Sequence, residues 1–144
     1  WSGPFLWPLN PPLIVTSPSG APRSSPHGQA AWQHLGLDLR ASHGTPVLAC
    51  ADGVVLLARK GLALTGGTIL LGHGYGVTSA YFHLSHISVK AGQRIHAGEP
   101  VGASGASGIA NGPHLHWQVN LRGKPTDPRQ WLDPVVAQTA QPAH

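Results

Sequence analysis

His34-Leu-Gly-Leu-Asp38 is one of two segments in this chain in which polar and apolar residues alternate strictly; the other is His114-Leu-His116. A period of two is typical of a half-buried β-strand, in which residues two and four apart share one face. The polar side chains of each segment would then lie together on one face. On the opposite face, in the core, we expect Leu35, Leu37 and Leu39 of the first segment.

The second segment continues the same alternation to Leu121. Its polar face would carry His114, His116, Gln118 and Asn120. Two imidazoles and a carboxylate that converge from two strands form the ligand set of a catalytic zinc ion, which leaves its fourth position to water. His34, Asp38 and a histidine of the second segment supply such a set, with a further histidine beside them. The residues alone therefore predict a zinc hydrolase.

Length and composition predict a single all-β domain. A chain of 144 residues is about one domain and can bury a core without disulfides. The 19 glycines and 14 prolines, and the lack of apolar residues at helical spacing, favour short strands joined by turns. We expect residues 1–33 to wrap the surface, residues 34–132 to form the core, and residues 133–144 to be a flexible tail. Asp127 before Pro128 predicts at most a short C-terminal turn of helix.

The charge pattern and the hydropathy limit the partners. Nine Lys and Arg against five Asp and Glu give a net charge of +4, and the basic residues are scattered. Because no basic stripe is present, we expect no nucleic-acid binding, and an anionic envelope polymer fits better. No apolar run approaches the roughly 20 residues that cross a membrane. The single cysteine, Cys50, is predicted to be a buried core residue. The chain starts at Trp1 without a signal sequence, and we interpret it as a processed or trimmed piece.

The residues present argue against three other hydrolytic mechanisms. The one glutamate, Glu99, lies outside any His-Glu-x-x-His motif, which argues against a helical zinc protease. A glycosidase would have to use carboxylates in turn-like contexts. The segment from Ser104 to Gly108 lacks the elbow of a nucleophilic serine and is predicted to be a flexible loop beside the catalytic strand. Among the other histidines we expect solvent exposure for His27, His86, His96 and His144, and turn positions for His43 and His73.

Five motifs, in order along the chain, resemble those of the LytM/lysostaphin-type zinc metallopeptidases, peptidase family M23. They are His34-Leu-Gly-Leu-Asp38, Gly44-Thr45-Pro46-Val47, Ala51-Asp52-Gly53-Val54-Val55, Tyr81-Phe-His83-Leu84-Ser85 and Gly112-Pro113-His114-Leu115-His116. The resemblance implies a compact antiparallel β fold with a narrow groove. It also implies that His34, Asp38 and His116 hold Zn²⁺, and that His83 and His114 are the two catalytic histidines.

The activity implied by the resemblance is hydrolysis of the peptide stems or cross-links of bacterial peptidoglycan by a zinc-activated water. Zinc lowers the pKa of bound water toward about 7, and an imidazole can take a proton or donate a hydrogen bond to the developing oxyanion. The sequence does not divide these two roles between His83 and His114. Nor does it choose between a glycine bridge and a D-amino-acid cross-link.

Two functional hypotheses follow. The first is an active endopeptidase, exported to the periplasm or the cell exterior, acting as a monomer on peptidoglycan peptides. The sequence leaves open whether a pro-segment or regulatory domain lies outside this chain. The alternative is a non-catalytic module of the same fold that binds the cell wall or activates another hydrolase. Because all five motif positions are filled, the sequence favours the enzyme.

Overall fold

Short strands joined by turns form most of the chain, as its glycine and proline content predicts. The computed structural model describes residues 1–17, 22–23, 32–33, 35–108, 110 and 112–142. In chain order the strands are β1 Ile14–Ser17, β2 Pro22–Arg23, β3 Trp32–Gln33, β4 Leu37–Arg40, β5 Pro46–Leu48, β6 Gly53–Leu62, β7 Gly66–Gly74, β8 Val77–Ile87, β9 Arg94–Ile95, β10 Pro100–Ser104, β11 His114–Leu121, β12 Lys124–Thr126 and β13 Gln141–Pro142.

One sheet contains eleven of these strands. Its main path runs β13-β1-β4-β11-β8-β7-β6-β9, while β10 pairs with β5 and β8, and β12 pairs with β11. β2 and β3 form a separate pair. Among the described strands the pairing is antiparallel apart from the parallel contact between β1 and β13, and an isolated bridge between Phe5 and Leu132 is also parallel. The predicted all-β, antiparallel fold is confirmed.

In the ranges that the structure describes, helical structure is confined to two single turns near the C-terminus. A 3-10 turn over Pro128–Trp131 begins where Asp127 accepts a hydrogen bond from the Arg129 N–H at 3.1 Å. This confirms the short helical turn predicted at Asp127. Helix α1, Pro134–Ala137, follows and is capped by Asp133. In the described part of the chain, no helix has the length and apolar character that a bilayer crossing requires.

The proposed three-part division of the chain remains a prediction. Within the predicted tail, β13 pairs with β1, and the Gln141 N–H donates to the Leu13 carbonyl at 2.9 Å. Within the predicted N-terminal segment, the Phe5 side chain is 2% exposed and belongs to the main core. Both ends of the described chain therefore contact the central sheet.

The core lies on the apolar faces of β4 and β11. Leu37 and Leu39 in β4, and Leu115, Trp117 and Val119 in β11, are 0% exposed. The alternation therefore predicted the core face of both strands. The prediction was wrong for Leu35, which is 52% exposed, because β4 begins only at Leu37. Cys50 is buried, as predicted.

Candidate active site

β11 lies between β4 and β8, and this order brings three of the sequence motifs together. In the pairing of β11 with β4, His116 is the partner of Asp38. In the pairing of β11 with β8, His116 is the partner of Phe82. Directly paired residues of neighbouring strands point to the same face of a sheet. The polar face of β11 is therefore flanked by Asp38 on one side and by the His83 motif on the other.

Asp38 is the point on which the two histidines of β11 converge. Its Oδ1 lies 3.0 Å from Nδ1 of His116 and 3.7 Å from Nε2 of His114. The three side chains are 10% to 19% exposed. The carboxylate thus faces two imidazole nitrogens in a largely water-excluded position, where electrostatic interactions are stronger than in bulk water.

His116 is oriented by contacts on several sides of its ring. Its Nε2 lies 3.2 Å from Oε1 of Gln118, and the Gln118 amide donates to Oδ1 of Asn120 at 2.9 Å. The amide oxygen of Gln118 and the carboxylate oxygen of Asp38 only accept, so each ring nitrogen of His116 faces an acceptor: Nε2 faces Gln118 and Nδ1 faces Asp38. The Phe82 ring stacks on His116, with centroids 4.9 Å apart and planes at 3°.

Gly36 allows the segment just before β4 to lie close to His116. A Cβ at position 36 would lie 2.5 Å from the Trp117 carbonyl oxygen and 3.0 Å from Nε2 of His116. No side chain fits there without moving either β11 or the imidazole. The glycine of the first motif therefore has a steric reason, which its position between two polar residues does not reveal.

His83 reaches the same site because β8 carries an extra residue. Between the pairs Gly67–Leu84 and Ile69–Tyr81, β7 contributes one residue, Thr68, while β8 contributes two, Phe82 and His83. His83 has a φ of 65°, in the left-handed region. This bulge re-aims a side chain that regular alternation would place on the face opposite Phe82. The His83 ring instead lies 4.8 Å from the ring of His114, centroid to centroid.

The proposed catalytic histidines share one hydrogen-bonding arrangement. Nδ1 of His83 donates to the Ser107 carbonyl at 2.8 Å, and Nδ1 of His114 donates to the Gly112 carbonyl at 3.0 Å. In the neutral rings Nε2 is then the basic nitrogen. Burial lowers the pKa of His83, the Ser107 hydrogen bond opposes this shift, and the charges of His114 and His116 add to it. His83 is therefore neutral near pH 7.

The donors of this cluster fit a zinc ion. Ligand atoms about 2.0–2.1 Å from a tetrahedral zinc lie roughly 3.3 Å from one another, and the His116–Asp38 contact of 3.0 Å is close to that spacing. His34, the predicted third ligand, lies outside the described residues. Within the residues that are described, no three His, Cys, Asp or Glu side chains form a group able to hold a metal.

The other described histidines are separate from this cluster. His86 and His96 are exposed and His43 lies in a turn, as expected, while His27 and His144 lie outside the described residues. His73, predicted at a turn, is instead 5% exposed within β7. It borders a cavity of about 350 Å³ with Trp1, Asp52, Arg94 and His96. None of the residues lining that cavity belongs to the predicted zinc or catalytic set.

The model of peptidase family M23 matches residues 32–128 of this chain. The chain belongs to peptidase family M23. An uncharacterized metalloprotease of Haemophilus influenzae is 38% identical over 122 residues, which are 85% of this chain and 26% of that protein. The peptidoglycan DD-endopeptidase ShyA of Vibrio cholerae is 34% identical over 121 residues, 84% of this chain and 28% of ShyA.

The fold also matches solved structures. A zinc-containing peptidase from Vibrio cholerae superposes with a TM-score of 0.82 at 31% identity, over 88% of this chain and 39% of that chain. The chain thus spans between a quarter and two fifths of the length of these three relatives.

Three residues of this M23 site were not among the sequence-predicted site residues: Phe82, Ser107 and Gln118. Gln118 had a signal, because the alternation of β11 places it on the face of His116. Ser107 was predicted only as part of a loop beside the catalytic strand, and its carbonyl contacts His83. The orientation of His83 and Phe82 had no signal, since it depends on a bulge at a non-glycine residue.

Proposed function

We propose that this chain is a zinc-dependent endopeptidase that hydrolyses the peptides of bacterial peptidoglycan. The observation that carries the proposal is the convergence of His114 and His116 on Asp38, with His83 beside them. An ordinary structural cluster would not need two imidazoles on one carboxylate and a third imidazole beside them. Membership of family M23 supports the same activity.

The metal in this proposal is held by His34, Asp38 and His116. Bound zinc supplies a Lewis acid that polarises the scissile carbonyl and makes a water more acidic. The chain prepares the site by holding the His116 ring with its Nε2 on Gln118 and its Nδ1 toward Asp38. This arrangement sets the direction of the ligand before the metal arrives.

The proton transfers are carried out by His83 and His114. Each ring has its Nδ1–H fixed on a backbone carbonyl, so Nε2 can accept a proton from the attacking water. The same Nε2, once protonated, can donate a hydrogen bond to the oxyanion of the tetrahedral intermediate. The lowered pKa of His83 keeps it in the proton-accepting form near neutral pH. Either ring can serve in either role.

The substrate proposed is a D-amino-acid cross-link of peptidoglycan rather than a glycine bridge. The support is one relative, ShyA, a peptidoglycan DD-endopeptidase at 34% identity. We further propose that the protein acts as a monomer in the bacterial envelope, after export to the periplasm or the cell exterior. The net charge of +4 favours contact with an anionic wall polymer.

The experiment is digestion of muropeptide dimers of known composition by the zinc-loaded chain, with mass analysis of the products. One substrate carries a D-amino-acid cross-link and its matched control carries a glycine bridge. We expect cleavage of the first, loss of cleavage with a chelator, and recovery on adding zinc. Cleavage of the glycine bridge alone would overturn the substrate assignment and leave the peptidase.

A non-catalytic wall-binding or hydrolase-activating module is the second outcome of that experiment. Such a module would sediment with purified sacculi and release no soluble fragments, with or without zinc. The filled positions Asp38, His83, His114 and His116 argue against it, because a binding module needs no pair of histidines with available Nε2 atoms.

A further inference from the structure

We propose that Ser107 is a positioning residue for His83. Its side chain attaches the loop of residues 105–108 to β7 and β8, so that its own carbonyl holds Nδ1 of the His83 ring beside the ring of His114. The proposal rests on the proposed function for its kinetic consequence, but its structural consequence can be measured without catalysis.

The Ser107 hydroxyl makes two hydrogen bonds across the strands that flank the bulge. Oγ donates to the Leu84 carbonyl at 2.7 Å and accepts from the Gly67 N–H at 2.9 Å. Gly67 and Leu84 are paired residues of β7 and β8, next to the extra residue that turns His83. The hydroxyl therefore fixes the loop at the point where β8 leaves regular geometry.

The loop also packs directly on the turn between β6 and β7. A Cβ at Gly66 would lie 2.4 Å from the Ser107 carbonyl carbon, and one at Gly108 would lie 2.4 Å from the Gly66 nitrogen. Both glycines have φ in the left-handed region, at 65° and 72°. Only residues without a side chain allow the two backbones to approach so closely.

His83 is thereby held at its backbone and at its ring. Its N–H donates to the Thr65 carbonyl at 2.8 Å, and its Nδ1–H donates to the Ser107 carbonyl at 2.8 Å. The carbonyl can only accept, so it selects the tautomer with the proton on Nδ1. If the loop moves, the ring loses both its tautomer preference and its direction, although no zinc ligand has been changed.

The test compares Ser107→Ala, which removes both Oγ hydrogen bonds, with Ser107→Thr, which keeps the hydroxyl. In the full zinc-loaded chain, ¹⁵N shifts of the His83 ring report its tautomer, and a His83→Gln variant assigns the signal. We expect one tautomer, protonated on Nδ1, in the original chain and in Ser107→Thr. Ser107→Ala should show a mixture with the Nε2-protonated form at unchanged zinc content.

Kinetics add a second readout. We expect kcat of Ser107→Ala to fall about tenfold with KM little changed, a part of the roughly 10²–10⁴ that a positioned acid or base contributes. Ser107→Thr should restore it. Ser85→Ala is the matched control, because it removes a 2.8 Å hydrogen bond from a hydroxyl to the Ser104 carbonyl without touching His83. It should keep both the tautomer and kcat.

Gly108→Ala displaces the loop by another route and should reproduce the His83 mixture if Ser107→Ala fails to fold. An unchanged His83 tautomer in the folded variants would overturn the proposal, as would an equal effect of Ser85→Ala or parallel loss of zinc. If the original chain cleaves no peptidoglycan, the proposed function fails. The ring shifts then still decide whether Ser107 positions His83.

Discussion

At the scale of single residues, the site divides its histidines by which ring nitrogen is occupied. His116 has Nε2 on Gln118 and Nδ1 toward Asp38. His83 and His114 have Nδ1 on backbone carbonyls, which leaves Nε2 as the nitrogen that can accept a proton. This opposite use of the two nitrogens separates the proposed ligand from the proposed acid–base residues. It explains how two histidines only two positions apart on β11 can have different roles.

Removing a histidine of each kind should therefore give different phenotypes. We expect His116→Ala to lose most of its zinc and its activity together. His83→Ala should retain zinc and lose turnover by at least about 10²-fold, as expected for loss of an acid–base group. Metal analysis by mass spectrometry alongside a peptidase assay checks both. Equal zinc loss in the two variants would contradict the division.

Gln118 is expected to affect zinc affinity through His116. Gln118→Leu removes the acceptor that faces Nε2, and we expect zinc affinity to fall by about 10–100-fold. Gln118→Glu keeps an acceptor oxygen and is the matched variant, with affinity close to that of the original chain. Competition with a chromophoric chelator measures both. Identical affinities in all three proteins would show that this hydrogen bond does not orient the ligand.

At the scale of elements, the site depends on how closely β4 and β11 approach. Gly36 sits where a Cβ would meet the Trp117 carbonyl at 2.5 Å and His116 at 3.0 Å. Strand pairing sets Asp38 beside His116, so a displacement here separates the two proposed ligands. The first motif thus needs its glycine for space, not for backbone flexibility.

Gly36→Ala should therefore destabilise both the fold and the metal site. We expect the free energy of unfolding to fall by about 1–3 kcal/mol, as in overpacked cores, and zinc affinity to fall with it. Gly44→Ala is the control, because that glycine has open space around it and a φ of 87°. It should cost stability through backbone strain of about 1–2 kcal/mol while zinc affinity stays unchanged. Denaturant unfolding and chelator competition measure the two quantities.

At the scale of the whole molecule, a chain of buried polar side chains connects β7 and β8 with Cys50, which follows β5. Ser79 Oγ lies 2.8 Å from Nε2 of His73 and 2.9 Å from the Tyr81 hydroxyl, which is 3.1 Å from the Cys50 sulfur. Burial raises the pKa of Cys50 and of Tyr81, so both stay protonated at neutral pH. These groups belong to the core rather than to the proposed active site.

His73 makes the stability of the molecule depend on pH. Burial lowers its pKa below the ordinary 6.5, although its hydrogen bond to the Asp52 carbonyl opposes the shift. The unfolded chain therefore binds the proton more readily, and this contribution to stability is full above pH 6.5 and lost as the pH falls through the folded pKa.

Denaturant unfolding between about pH 5 and pH 7.5 measures that contribution. We expect the free energy of unfolding to rise with pH over this range, and to rise less in His73→Gln. His43→Gln, at an exposed turn, is the matched control and should keep the full rise. A pH dependence unaltered by His73→Gln would contradict the assignment.

The sequence predicts the parts of this architecture that are encoded locally. Alternation identifies β4 and β11 because each strand carries its own two-residue pattern, and Asp127 before Pro128 marks a helical turn by its own capping. Leu35 shows the limit of the pattern, since alternation does not say where a strand begins. The bulge at His83 is not local: its positive φ is maintained by Thr65 and Ser107, which are distant in sequence. The motifs therefore predict which residues matter, while the tautomers and ring directions require the folded chain.

The central claim is that Asp38, His83, His114 and His116, with His34, form a zinc peptidase site. The most direct measurement is release of soluble fragments from purified peptidoglycan by the chain and by His114→Ala, with zinc content determined in the same samples. We predict about one zinc per chain in both proteins and fragment release, with cleaved cross-links, only by the original chain. Intact cross-links after treatment with the fully zinc-loaded chain, indistinguishable from His114→Ala, would contradict the claim.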